Sequence, residues 1–237
     1  MRVSLICPTC AQAAGGVGTW FVDTIREDGL YTGKCPNGHD LLLATQTLPH
    51  EMLFEIALNA ITDGYNREAV SSFAASMERF FEFAIRVIAN KHAVPADALA
   101  DMWKIVAKQS ERQLGAYVLL YGIEFAKSPH LLSNKMTELR NDVVHKGKLP
   151  SRKEALGFGS AVYEVIQESV RQLRTTHLDQ VNGCLGEHVA RIAEKMGAVY
   201  PRTFQVTSTV LNIIDDVSSG YKPFSQVLLE RGISSTA

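Results

Sequence analysis

The chain has 237 residues, a formal net charge of -1, 46% hydrophobic and 21% charged residues, and four cysteines. That length and balance describe one medium domain or two small ones, with a core that needs no disulfide staples. They exclude a disordered chain and a uniformly basic nucleic-acid coat. No apolar run approaches the ~20 residues of a membrane span; the longest, 116–123, contains two tyrosines and a glycine. The opening MRVSLICPTC carries no secretory apolar stretch or cleavage site, so the expected location is the cytoplasm, with no membrane partner.

Three of the cysteines fall in the first 35 residues. Cys7-Pro-Thr-Cys10 is a C-x2-C knuckle, and Cys35-Pro-Asn-Gly-His39 is a second knuckle ending in histidine. A two-residue gap lets both sulfurs of a tight turn point at one ion, and zinc takes four tetrahedral ligands from thiolate and imidazole. Cys7, Cys10, Cys35 and His39 are therefore the candidate ligands of a Zn2+ ion. A closed site of that kind is structural, with no open position for catalysis. Between the knuckles, Thr19–Arg26 reads as a strand, and the Asp28-Gly29 turn leads into Leu30-Tyr31-Thr32 as the return strand of a hairpin. The pattern over residues 1–47 resembles zinc ribbons. The glycine-rich stretch Ala14–Gly18 lacks the Lys-Ser/Thr ending of a phosphate loop and reads as a flexible loop.

From Pro49 the hydrophobic period changes from two to about 3.6. Leu53, Ile56, Ala57, Ala60 and Ile61 form one apolar stripe, ending near Asp63-Gly64. Over Arg67–Lys91, Val70, Phe73, Ala74, Met77, Phe81, Ala84, Ile85 and Ile88 follow the i, i+3, i+4 pattern of a long amphipathic helix, with Glu78, Glu82 and Arg86 off the stripe. Pro95 opens another helix, and Arg112–Ala126 forms a further one that Pro129 ends. Leu131–His145 then runs to Gly147, a left-handed helix terminator, and to Pro150. Ser151 and Glu154 make a capping box that starts a helix to about Arg174. Glu187–Met196 is helical, closed by Gly197. The β-branched run at 206–214 fits strand or helix equally. The fold class expected is mainly α, with domains at 1–47 and 48–180 and a C-terminal extension at 181–237.

Arg140-Asn141-Asp142-Val143-Val144-His145 places a guanidinium and an imidazole near one helix end. Asn141, four residues before His145, shares its helix face, so its amide is placed to orient the ring. Arg140 lies about 140 degrees round the helix from His145, and the two meet only if the arginine bends round or a partner subunit supplies one of them. By themselves, an arginine and a histidine at a helix C-terminus are charge complements.

The set comprising Leu139–Gly147, the capped helix that follows and the long amphipathic helix before it resembles the HEPN superfamily. The resemblance spans roughly 49–179: an R-x4-H motif, a polar residue after the arginine, and a run of helices. It implies an antiparallel helical bundle, a homodimer that brings two motifs into one cleft, and metal-independent cleavage of RNA by 2′-OH attack. It also implies toxin–antitoxin or antiviral-defence biology, with an antitoxin or defence-system partner. Arg140 and His145 are then catalytic and Asn141 orienting. A histidine supplies base or acid near neutral pH, and a planar guanidinium stabilises the charge that builds at phosphorus. Some relatives of this kind carry a tyrosine two residues after the histidine; position 147 is glycine here. Others have lost catalysis and serve as binding or dimerisation modules.

Residues 135–153 hold six basic side chains against two acidic ones. Lys146, Lys148, Arg152 and Lys153 are the candidate RNA contacts; the plainer reading is a solvated loop. The resemblance allows Glu78 or Glu82 to reach and orient Arg140; the plainer reading leaves both simply exposed. His50-Glu51 starts like a zinc-protease helix, but position 54 is phenylalanine. His92, His130, His177 and His188 find no partner by spacing, and Cys184 reads as an idle buried thiol. Two further classes remain: a non-catalytic zinc-ribbon and helical module that binds nucleic acid or protein, and a zinc-ribbon DNA-binding regulator.

Overall fold

The computed structural model describes residues 2–15, 20–197, 203–205, 209–211, 213 and 220–234. The chain is mainly helical and divides into two compact units: Met1–Leu48 with Leu185–Ser208, and Pro49–Cys184 with Thr209–Ala237. Residues 181–237 are thus shared between the two. Most of the 206–214 run lies outside the described residues.

The first unit contains β1 (Arg2–Ile6), α1 (Pro8–Ala13), β2 (Trp20–Thr24), β3 (Leu30–Lys34) and β4 (Asp40–Thr45). The expected hairpin across Asp28-Gly29 does not form. β2 pairs antiparallel with β1, from Arg2 opposite Thr24 to Ile6 opposite Trp20, and β3 pairs antiparallel with β4, from Leu30 opposite Ala44 to Lys34 opposite Asp40. The reason lies in the knuckles. Cys35 N–H donates to the His39 carbonyl at 3.0 Å, extending the β3–β4 ladder into the second knuckle, and the first knuckle follows directly on β1. Each pair of Cys/His ligands thereby sits at the end of its own strand pair. Asp28-Gly29 is still a turn, with Gly29 at φ +66 and the Asp28 carboxylate accepting Leu30 N–H, but it joins the two hairpins.

Alternation along β4 gives this unit two apolar faces. Leu43 packs with Tyr31 and Leu5 on one, and Ala44 packs with Ile192 and Met196 on the other. Ile192 and Met196 come from α8 (Leu178–Met196), which supplies residues to both units. A short strand, β5 (Thr203–Gln205), adds parallel to β4.

The second unit is built on α3 (Asn66–Lys91), which packs against α2 (Pro49–Thr62), α5 (Ser110–Phe125), α6 (Asn134–His145) and α7 (Arg152–Thr176); α4 (Ala96–Val106) lies against α5. Phe54, Phe73, Phe80, Phe81, Phe158 and Tyr117 are fully buried. Tyr117 stacks on Phe81 at 4.5 Å, and its hydroxyl meets Ser169 Oγ at 2.6 Å, satisfying a polar group inside the core. Ser151 caps α7 with Glu154 in the box that the sequence spells out.

The tail segment docks on this unit through buried acids. Glu55 Oε1 accepts the Val210 N–H and an Arg231 N–H at 2.7 and 2.9 Å, and Glu51 accepts the Ile213 N–H at 3.0 Å. Burial pushes the Glu55 carboxyl up, against the pull of Arg231. Helix α9 (Phe224–Glu230), unmarked in the sequence reading, sets Phe224 against Phe54 and Tyr163.

Gly159 on α7 lies directly against Phe73 and Phe224. A Cβ there would lie 2.7 Å from two atoms of the Phe73 ring and 3.3 Å from Phe224. Gly159→Ala should therefore destabilise the unit by about 1–2 kcal/mol despite the better helix propensity of alanine. Urea unfolding would show a lower midpoint with an unchanged m-value.

Candidate active site and metal centre

The knuckles bring Cys7, Cys10, Cys35 and His39 together, with all four donor atoms within 4.8 Å of one another. Pro8 starts α1 immediately after Cys7, and this one short helix carries Cys10 back beside it, with Cys10 N–H on Cys7 Sγ at 3.5 Å. Gly38, at φ +82, makes the turn that presents His39. His39 Nδ1 lies 3.8, 3.3 and 3.5 Å from the sulfurs of Cys7, Cys10 and Cys35, and Cys10 and Cys35 Sγ are 3.9 Å apart. Bonds of zinc length to a tetrahedral centre impose about 3.6 Å between sulfur and nitrogen and about 3.8 Å between sulfurs. The residues fit a metal ion. Asn37 Nδ2 donates to Cys10 Sγ at 3.3 Å, a contact that steadies a ligand sulfur and that spacing alone did not reveal. Leu41 closes the cluster on its apolar side.

The Arg140–His145 pair forms on α6. Ser133 caps its N-terminus, and Leu139 and Val143, one turn apart, bury its inner face. At the other end Gly147 takes φ +72, and the N–H groups of Lys146 and Lys148 both return to the Asp142 carbonyl, so the helix stops just after His145. Arg140 bends round within one chain: Nη1 lies 3.2 Å from His145 Nε2. A guanidinium has only donors, so His145 Nε2 accepts and the ring carries its proton on Nδ1.

Four groups surround the Arg140 guanidinium. Nη1 also donates to Asn141 Oδ1 at 3.0 Å, and Nη2 donates to Glu78 Oε1 at 2.8 Å and Ser110 Oγ at 3.1 Å. Glu78 is thus the carboxylate that reaches the arginine. Glu82 instead bridges Arg79 and Arg86. Asn141 places its Oδ1 on Arg140 rather than on the imidazole, so it braces the guanidinium. Ser110, the first residue of α5, was not singled out in the sequence because it is 30 residues from Arg140. The Arg140 and Glu78 side chains are only 16% and 24% exposed, whereas His145 is exposed, so the site joins an anchored cation to an accessible base.

The basic patch is mostly engaged. Lys146 pairs with Asp142 at 2.9 Å and Lys148 with Glu154 at 2.8 Å. Arg152 donates to the carbonyls of Ile61 and Ser234, which makes it a clamp inside the second unit. Lys153 is exposed. The histidines set aside by spacing divide: His92 and His177 both meet Glu124, whereas His188 is half-buried and desolvation lowers its basicity. Cys184 is buried and accepts a contact from Asn90 Nδ2 at 3.4 Å. No helix among the described residues is long and apolar enough to cross a membrane.

Comparison with family models, with curated proteins and with solved structures gives no match.

Two outcomes follow from this geometry. Elemental analysis of the purified chain should find one tightly held metal ion, lost in the Cys10→Ser variant, because the closed donor set cannot hold it with three ligands as well as with four. A double-mutant cycle between Glu78→Gln and Arg140→Gln should give a coupling of about 1–3 kcal/mol, since removing either partner leaves a largely buried charge or donor uncompensated.

Proposed function

We propose that the second unit is a HEPN-like endoribonuclease that cleaves RNA by attack of a 2′-OH on the adjacent phosphate, without a catalytic metal. The observation that carries this reading is the Arg140 guanidinium, fixed by Glu78, Ser110 and Asn141 with one N–H on the lone pair of an exposed His145. In this reading an incoming 2′-OH takes the place of the Arg140 N–H at His145 Nε2 and gives up its proton there. The displaced N–H turns to the phosphate, where negative charge grows in the transition state. His145 of a second copy, brought close by a two-fold axis and entering the step as an imidazolium, gives its Nε2 proton to the leaving 5′-oxygen, and the two rings then re-equilibrate their protons with water. Products are a 2′,3′-cyclic phosphate and a 5′-hydroxyl end. The antiparallel HEPN bundle, the homodimer, a toxin or antiviral-defence role and a location in the cytoplasm belong to this proposal.

In the first unit the ion is Zn2+ and its role is structural: four closed ligands join two hairpins that share little core of their own. The ribbon presents a partner-binding surface.

One observation favours a second reading, a non-catalytic module that binds protein or nucleic acid and dimerises through its helices. Four N–H···acceptor contacts already occupy the Arg140 terminus, and Lys146 and Lys148 are paired with carboxylates. The two lysine pairs lie at the surface and are screened by solvent, so phosphate competes with them readily.

The two readings separate on incubation of the protein with single-stranded RNA in EDTA. The nuclease reading requires fragments with 2′,3′-cyclic ends, at least about 100-fold slower to form with His145→Ala. Equal cleavage by wild type and variant, or none by either with RNA binding intact, supports the module.

A further inference from the structure

The three sulfurs of the metal cluster are not equivalent. Cys7 Sγ accepts the Cys10 N–H as the N-cap of α1, and Cys10 Sγ accepts from Asn37 Nδ2 at 3.3 Å. Among the described residues, no amide N–H reaches Cys35 Sγ. An N–H donor draws lone-pair density from a thiolate and blunts its attack on an electrophile. Cys35 therefore keeps the most nucleophilic sulfur of the three.

Position adds a second difference. Cys7 is fully buried, whereas Cys10 and Cys35 keep 6% and 4% of their surface. The neighbouring Thr9, Pro36, Asn37 and Gly38 are all exposed, so the cluster lies just beneath the surface, within reach of a small solute. Cys10 and Cys35 Sγ stand 3.9 Å apart and belong to different hairpins: Cys10 follows β1 by way of α1, and Cys35 follows β3. A disulfide holds its sulfurs about 2.05 Å apart, so closure needs an approach of about 2 Å shared by two side chains.

We propose that Cys35 and Cys10 form a reversible oxidation site for hydrogen peroxide, which exchanges the metal cross-link of the first unit for a covalent one. The Cys35 thiolate attacks one oxygen of the peroxide; the O–O bond breaks, hydroxide leaves and Cys35 becomes a sulfenic acid. The Cys10 thiolate then attacks that sulfur, the S–O bond breaks and a second hydroxide leaves. The two sulfurs have lost two electrons, the peroxide has gained them, and two protons from solvent turn the hydroxides into water. Cys7 and His39 remain, too few donors to retain the ion. The hairpins stay joined all the same, because the new bond spans the gap between the two knuckles. A bridge within Cys7-Pro-Thr-Cys10 would tie neither hairpin to the other. The inference rests on the metal cross-link proposed for the first unit and not on the chemistry at Arg140.

The test titrates the metal-loaded full chain with hydrogen peroxide beside a chromogenic chelator. One ion should leave for each disulfide formed. Mass spectrometry of the alkylated digest should find Cys10 joined to Cys35, with Cys7 and Cys184 still thiols, and dithiothreitol should reverse the bond. Dimedone present from the start should label Cys35 ahead of Cys7 and Cys10. Asn37→Ala, a change at an exposed residue, should bring labelling of Cys10 up to that of Cys35. In EDTA, the first 48 residues of the oxidised chain should survive protease at least about ten-fold longer than those of the reduced chain. A dominant Cys7–Cys10 bridge, first labelling at Cys7 or Cys10, or an oxidised unit digested as fast as the reduced one would overturn the exchange alone. A purified chain that holds no ion would overturn the metal reading and the exchange together.

Discussion

The second unit is organised around one guanidinium. Arg140 ties α6 to α3 through Glu78 and to α5 through Ser110, while Asn141 and His145 on its own helix take the other nitrogen. A charge so enclosed must be met on every side, since an unpaired buried cation costs several kcal/mol. The same contacts that keep α6 in place therefore set the direction of the N–H that meets the imidazole. Stability and chemistry draw on one set of bonds. The arrangement leaves His145 exposed while its Nε2 already accepts a hydrogen bond from the same chain, and in the proposed reaction a substrate hydroxyl would compete with that donor.

The first unit obeys a different constraint. Its strands are short, and Leu5, Tyr31 and Leu43 make a small cluster. Four donor atoms at the ends of two hairpins lie close enough to bind a metal ion, which would supply the cross-link that so small a core lacks. That is why strand pairing follows the knuckles and why Asp28-Gly29, a good hairpin turn by composition, joins hairpins instead of closing one.

Much of this was legible in the sequence. The long α3 stripe, the Gly147 stop and the Ser151–Glu154 box are local signals, and α2 to α7 appear where period and punctuation put them; α8 starts at Leu178 rather than Glu187, and α1 and α9 carry no such signal. The ligand set of the knuckles is also local, because each pair lies within one turn. Strand pairing was not, since turn propensity is blind to where the two knuckles meet. The partners of Arg140 were half legible: Glu78 shows as a charged residue off an apolar stripe, while Ser110 has no signal beyond a position that only packing of α5 against α3 defines. Counting charges in the basic patch leaves out their neighbours: Asp142 pairs with Lys146 and Glu154 with Lys148. His92 and His177 are 85 positions apart and meet only because each reaches Glu124.

The direction of the hydrogen bond between Arg140 and His145 is the hinge of the account. Nitrogen-15 NMR of the imidazole in the full chain, with His145→Ala to assign its signals, reads that direction. Above the titration of the ring, the account predicts a proton on Nδ1 and an unprotonated, acceptor-type Nε2, with Arg140→Gln shifting the balance toward Nε2–H. A His145 ring found with its proton on Nε2 in the wild-type chain, and insensitive to Arg140→Gln, would contradict it.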